Sequence, residues 1–144
     1  MNDMTELGLD DLDGVSGGAL SGTVVAEGSF GSNTGTHLNI LVNWSVVMDP
    51  AGRKTLEVEV WSHSYSLSSI AMESGVELTV NGVIHHSASN AVSYNGRAMT
   101  NNLLASFSIP NLSGAVNLSA VWHFNGTYSG TQLGNIRAEA TITV

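Results

Sequence analysis

A chain of 144 residues, 42% of them apolar, has the length for one domain of ordinary size with a normal core. Its formal net charge of −8 comes from twelve acidic against four basic residues, and Arg53, Lys54, Arg97 and Arg137 form no basic cluster of the kind a nucleic-acid partner requires. Cysteine is absent, which excludes disulfides, thiolate metal sites, a cysteine nucleophile and thioether rings, and no apolar run approaches the roughly 18–20 residues of a membrane span.

The first predicted element is a leader over residues 1–18. Asp3, Glu6, Asp10, Asp11 and Asp13 place five of the twelve acids there, with no lysine or arginine. It is not a conventional signal peptide, having neither a basic start nor a continuous apolar centre. On a helix, Met4, Leu7, Leu12 and Val15 fall within an arc of roughly 140°, with Glu6, Asp10 and Asp13 largely elsewhere. That is the form of an amphipathic ligand for a groove. Ser16-Gly17-Gly18 carries no bulky side chain and is able to extend into a narrow protease cleft.

These residues resemble the double-glycine leader of bacteriocin-type precursors. Counted back from Gly18, Leu7, Leu12 and Val15 occupy the three apolar positions of that pattern, and Gly17-Gly18 its cleavage site, just before Ala19. The resemblance implies a peptidase-containing ABC exporter as partner, a cut after Gly18, and a secreted or cell-surface product over 19–144. Gly8 departs from the pattern, which commonly has Ser or another polar residue there, and costs the helix up to about 1 kcal/mol relative to Ala. The competing reading is a disordered acidic tail ending in a linker.

From Ala19 onward the pattern changes to period two. A short strand is expected over 20–26, then a loop from Gly28 to Gly35 by composition. Leu38, Ile40, Val42, Trp44, Val46 and Met48 alternate along a strand over 37–48. Asp49-Pro50-Ala51-Gly52 has the chemistry of a tight turn, and a second long strand over 55–63 completes a hairpin. A short irregular strand over 65–70 follows, then a second hairpin in which Asn81-Gly82 joins 76–80 to 83–86 through a type I′ turn. Residues 87–100 read as a long connection. Strands are expected over 103–109, 115–124 and 136–144, the last two separated by a loop over 125–130. No stretch after residue 18 has convincing helical periodicity.

Seven or eight strands with regular turn signals and several long connections argue for an all-β fold, an antiparallel β-sandwich of immunoglobulin-like size; an eight-stranded barrel is the alternative. Trp44, Leu56, Val58 and Trp122 are the expected core, and Trp61, in opposite phase to Leu56 and Val58, an outer-face or interface residue. The sequence over 38–44, 55–60, Tyr65-Ser66-Leu67-Ser68, Leu78-Thr79-Val80-Asn81-Gly82, 104–109, Leu118-Ser119-Ala120-Val121-Trp122 and 138–144 resembles immunoglobulin-like modules in structural proteins of tailed phages. That resemblance brings no catalytic residues with it.

Chemistry-bearing residues are sparse. His37, His63, His85, His86 and His123 invite a metal, but adjacent His85 and His86 point to opposite faces of a strand. A site would require His63 or His123 to converge with an acid such as Glu57 or Glu59, and none is assigned. No serine lies in a nucleophile-elbow motif, and Glu57 and Glu59, about 7 Å apart on one strand face, read as a solvated face rather than an acid/base pair; Glu73/Glu77 is the other spaced pair. The phosphate-loop order of glycines and lysine is also missing. No cofactor and no enzyme activity are therefore expected. The leading expectation is an exported surface, adhesive or assembly-forming module for an extracellular protein or glycan, with a homo-oligomer among its forms. A bacteriocin-like antimicrobial protein and a phage virion or tail module are the alternatives.

Overall fold

Period-two alternation fixes which side of each strand meets the core. Along 38–48, Leu38, Ile40, Val42 and Val46 are buried, whereas the odd-numbered residues between them are not. The computed structural model describes residues 22–32, 38–64, 69–70, 75–87, 102–128 and 130–144. Its strands are β1 (Thr23–Gly31), β2 (Leu38–Met48), β3 (Lys54–Ser64), β4 (Ser69–Ile70), β5 (Val76–Val80), β6 (Val83–His86), β7 (Asn102–Pro110), β8 (Ala115–Trp122), β9 (Thr127–Tyr128), β10 (Thr131–Gln132) and β11 (Ile136–Thr143). None of the described residues is helical.

The eight longer strands form two four-stranded antiparallel sheets, a front sheet in the order β1-β2-β3-β7 and a back sheet in the order β11-β8-β5-β6. β11 lies against β1 and β2, and β5 against β7, which makes a β-sandwich; among the described residues the two sheets do not join into a barrel. Leu56, Val58 and Val60 from the front face Leu78, Val116 and Trp122 from the back across a common core. Each such side chain, fully removed from water, contributes about 1.5–3 kcal/mol.

Two turns set the registers. Asp49 Oδ1 accepts the backbone N–H groups of Ala51 (3.0 Å) and Arg53 (2.9 Å), while Oδ2 accepts Arg53 Nε at 2.8 Å. These bonds, that from the Arg53 backbone first, lower the Asp49 carboxyl from its ordinary value against a smaller opposing effect of desolvation. Gly52 takes φ +83° to close this turn, and β2 then pairs with β3 from Met48↔Lys54 to Leu38↔Ser64. At Asn81-Gly82 the φ values of 48° and 84° are both positive, as a type I′ turn demands.

Three expectations are corrected. The first strand does not end at Ala26: β1 continues through Gly28, Ser29, Phe30 and Gly31, composition read as loop, because it pairs with β2 from Met48 to Leu41. Glycine is needed there, since a Cβ at Gly28 would lie 2.8 Å from Trp44 Cζ2. Trp44 is accordingly only half-buried, packed on the core's margin, whereas Trp122, Leu56 and Val58 are fully inside it. The expected loop over 125–130 contains β9, which pairs with β10 and with β4 in a small third sheet. Most of the expected strand over 65–70 and the connection over 87–100 lie outside the described residues.

At the end of β8 the chain pinches. The Phe124 N–H donates to the Trp122 carbonyl at 2.9 Å, so Trp122 and Phe124 both enter the core, edge to face with ring centroids 5.1 Å apart. His123, between them, is turned outward.

Candidate binding face

The residues of the front sheet that point away from the core form cross-strand rows. Register places Glu27, Ser45, Glu57 and Ser108 in one row, Ser29, Asn43, Glu59 and Ser106 in the next, and Gly31, Leu41, Trp61 and Leu103 in a third. Val24, Val47, Thr55 and Pro110 make a fourth at the other end. The face is thus banded: two polar rows holding three carboxylates between two largely apolar ones. Val24 is 56% and Leu103 45% exposed.

Among the described residues, the donors to the carboxylates of the polar band are neutral. Ser108 Oγ donates to Glu57 Oε2 at 3.0 Å, and Trp61 Nε1 donates to Glu59 Oε1 at 3.1 Å. The only lysine or arginine in these four strands is Lys54, whose partner Met48 belongs to the core-facing set; the other basic side chain is the imidazole of His63, beyond Trp61 on β3. Arg53, in the adjoining turn, is held by Asp49. Glu27, Glu57 and Glu59 therefore carry charge that no described cation on the face neutralises. A shallow depression of about 450 Å³ lies among Glu27, Ser29, Asn43, Ser45, Glu57 and Glu59, with Gly28 and Trp44 also lining it. A second, of about 410 Å³, shares Glu57 and runs past Thr55, Ser108 and Val47 toward the Asp49 turn.

The outer face of the back sheet is built otherwise. Arg137 lies 3.5 Å from Glu139 and donates to Ser119 Oγ at 3.1 Å, and Thr141 donates to Asn117 Oδ1 at 2.8 Å. On its far side, Glu77 Oε2 lies 3.7 Å from His86 Nδ1 and 3.4 Å from His123 Nε2. The convergence of His123 with Glu57 or Glu59 that a metal site would have required does not occur, because His123 adjoins the other sheet, beside Glu77. Both imidazoles address the same carboxylate oxygen, and no group of three His, Asp or Glu among the described residues has the geometry to hold a metal ion.

His85 pairs with the buried Leu78 and His86 with Glu77, so the two adjacent histidines do point to opposite faces. Glu57 and Glu59 share the solvated front face, and Trp61 stands on that outer face, half-buried. Sequence reasoning missed the contributions of Glu27 and Ser108, which depend on the neighbours β1 and β7. The signal within reach was the paired i,i+2 pattern Asn43/Ser45 and Glu57/Glu59 across the Asp49–Gly52 turn. Met4, Leu7, Leu12, Val15, Gly17, Gly18, Ala19, His37 and Glu73 lie outside the described residues. No family model, curated protein or solved structure matches the chain.

Proposed function

We propose that this protein is an exported β-sandwich that works outside the cell as a surface or assembly-forming binding module, making its contact through the outer face of the front sheet. The observation that carries this reading is the banded face itself: three carboxylates that no described lysine or arginine compensates, around two depressions and flanked by Trp61 and Leu103. Interfaces are enriched in half-exposed aromatic side chains of this kind, and a charged band beside them sets partner choice. Residues 4–19 supply the export half, with Met4, Leu7, Leu12 and Val15 gripped by a peptidase-containing ABC exporter and the chain cut between Gly18 and Ala19.

Intact-mass analysis of protein from the producing cell's medium tests the export half; a species beginning at Ala19 is expected, and only full-length, cell-associated material overturns it. For the contact face, retention of the secreted protein, applied from the medium, on the surface of the producing or neighbouring cells is expected to fall with Glu57→Arg/Glu59→Arg and to persist with Arg137→Gln. Equal retention of both variants overturns the assignment of the front face.

A further inference from the structure

We infer that the occupant of the front face is a cationic, amphipathic polypeptide segment of another protein, its Lys or Arg side chains lying on the Glu27–Glu57–Glu59 band and its apolar side chains on the Leu41–Trp61–Leu103 row. This rests on the reading of that face as the binding surface. The spacing suits such a segment. Rows along a strand are about 7 Å apart, the same repeat at which an extended chain presents every second side chain to one face. A partner strand whose same-face positions i, i+2, i+4 and i+6 run apolar, basic, basic, apolar therefore meets the Val47–Thr55 row, the two carboxylate rows and the Leu41–Trp61–Leu103 row in turn.

Charge decides against the other occupants. A second copy packed face to face would set three carboxylates against three, with Lys54 the one lysine or arginine in the strands and directed to the other side, and one imidazole, His63, at the margin. The chain's own first eighteen residues bring five more acids and no lysine or arginine. Nucleic acids and acidic glycans are repelled likewise. A neutral oligosaccharide leaves the three carboxylates uncompensated, whereas a basic segment neutralises them while replacing the water over Trp61 and Leu103. The neutral donors on Glu57 and Glu59 fix the orientation of the two carboxylates without consuming their charge.

The test uses the full-length protein and three capped dodecapeptides with serine at every second position: a lysine–leucine peptide whose remaining positions read Leu-Lys-Lys-Leu-Lys-Lys, a lysine–serine peptide with serine in place of each leucine, and a glutamate–leucine peptide with glutamate in place of each lysine. Binding is read by fluorescence anisotropy, and its place by amide and indole shifts in ¹H–¹⁵N spectra. The lysine–leucine peptide is expected to shift the Trp61 indole N–H and the amides of Asn43, Ser45 and Glu59, and to weaken with salt. Glu57→Gln/Glu59→Gln is expected to lower its affinity roughly tenfold and Trp61→Ala roughly fivefold. The charge-matched leader variant Asp10→Asn/Asp11→Asn, which removes the same two charges elsewhere in the sequence, is expected to change it less than about twofold. The lysine–serine peptide should bind roughly tenfold more weakly, and the glutamate–leucine peptide not at all.

Equal losses in the face and leader variants, or equal binding of the two lysine peptides, reduce the effect to general charge attraction and overturn the proposal. Maltohexaose moving the same resonances when the lysine–leucine peptide does not overturns the cationic occupant and leaves the binding face standing. No front-face shift with either probe, together with equal cell retention of the Glu57→Arg/Glu59→Arg and Arg137→Gln variants, overturns both.

Discussion

The two outer faces of the sandwich solve the same problem in opposite ways. On the back sheet, Arg137 meets Glu139 and Ser119, and Thr141 meets Asn117, so charge and hydrogen-bonding capacity are spent within the face. On the front sheet, Glu57 and Glu59 receive a hydroxyl and an indole donor, no described lysine or arginine pairs with either of them or with Glu27, and apolar rows border all three. The same asymmetry reaches the interior: Trp122 of the back sheet is wholly enclosed, while Trp44 of the front sits at the margin. A self-satisfied face is suited to water, and an unsatisfied one to a partner.

The largest test of this asymmetry compares the two tryptophans. Trp122→Ala is expected to cost about 3–5 kcal/mol, and Trp44→Ala about 2 kcal/mol, read from denaturant unfolding. Trp122→Phe should cost clearly less than Trp122→Ala, because Trp122 Nε1 is buried with no hydrogen-bond partner among the described residues and its removal leaves nothing orphaned. Equal losses for the two alanine variants would break the comparison.

An intermediate effect is expected at Gly28. Its alanine variant places a methyl 2.8 Å from Trp44 Cζ2 and 2.9 Å from Cε2, so the ring must move or β1 must part from β2. The cost should be about 1–3 kcal/mol, with loss of hydrogen-exchange protection confined to β1. Protection lost equally in β8 and β11 would show that the sheets are not separable in this way.

The smallest effect distinguishes the hairpin turns by pH. The front turn depends on an ionised Asp49, whose carboxyl is lowered from its ordinary value by the N–H of Arg53 first. A carboxyl lowered on folding gives its stabilisation in full above the unfolded value near 3.9 and loses it as pH falls through the lower folded value. The back turn relies on neutral groups: the Asn81 N–H donates to the Asn117 carbonyl at 3.0 Å, and Asn81 Oδ1 accepts the Asn117 N–H at 2.8 Å. Below about pH 4, amides at 49–53 are therefore expected to exchange faster relative to those at 81–83, and Asp49→Ala should abolish that difference.

Much of this architecture was written in local pattern. The alternation over 38–48 and 55–63 predicted β2 and β3 within a residue or two, and Asn81-Gly82 specified its own turn and hairpin. Composition misled at Gly28 to Gly31, where glycine and serine read as loop although strand pairing and the Trp44 ring demand small residues. The binding face was only half legible. Asn43, Ser45, Glu57 and Glu59 follow from one hairpin register, but Ser108 joins them because β7, some forty residues further on, returns beside β3, and no local signal encodes that return. The same non-locality brings His123 to Glu77.

The placement of β11 governs the order in which this fold is made. β11 packs against β1 and β2, so the core side of that pair lacks this part of its cover until Ile136–Thr143 has been synthesised. The β1–β2–β3 meander is able to form its ladder early, but the apolar side of β1 and β2 stays partly wet until then. Closure over these two strands thus waits for β11, and a chain that stops before Ile136 is expected to remain sticky and open to proteases.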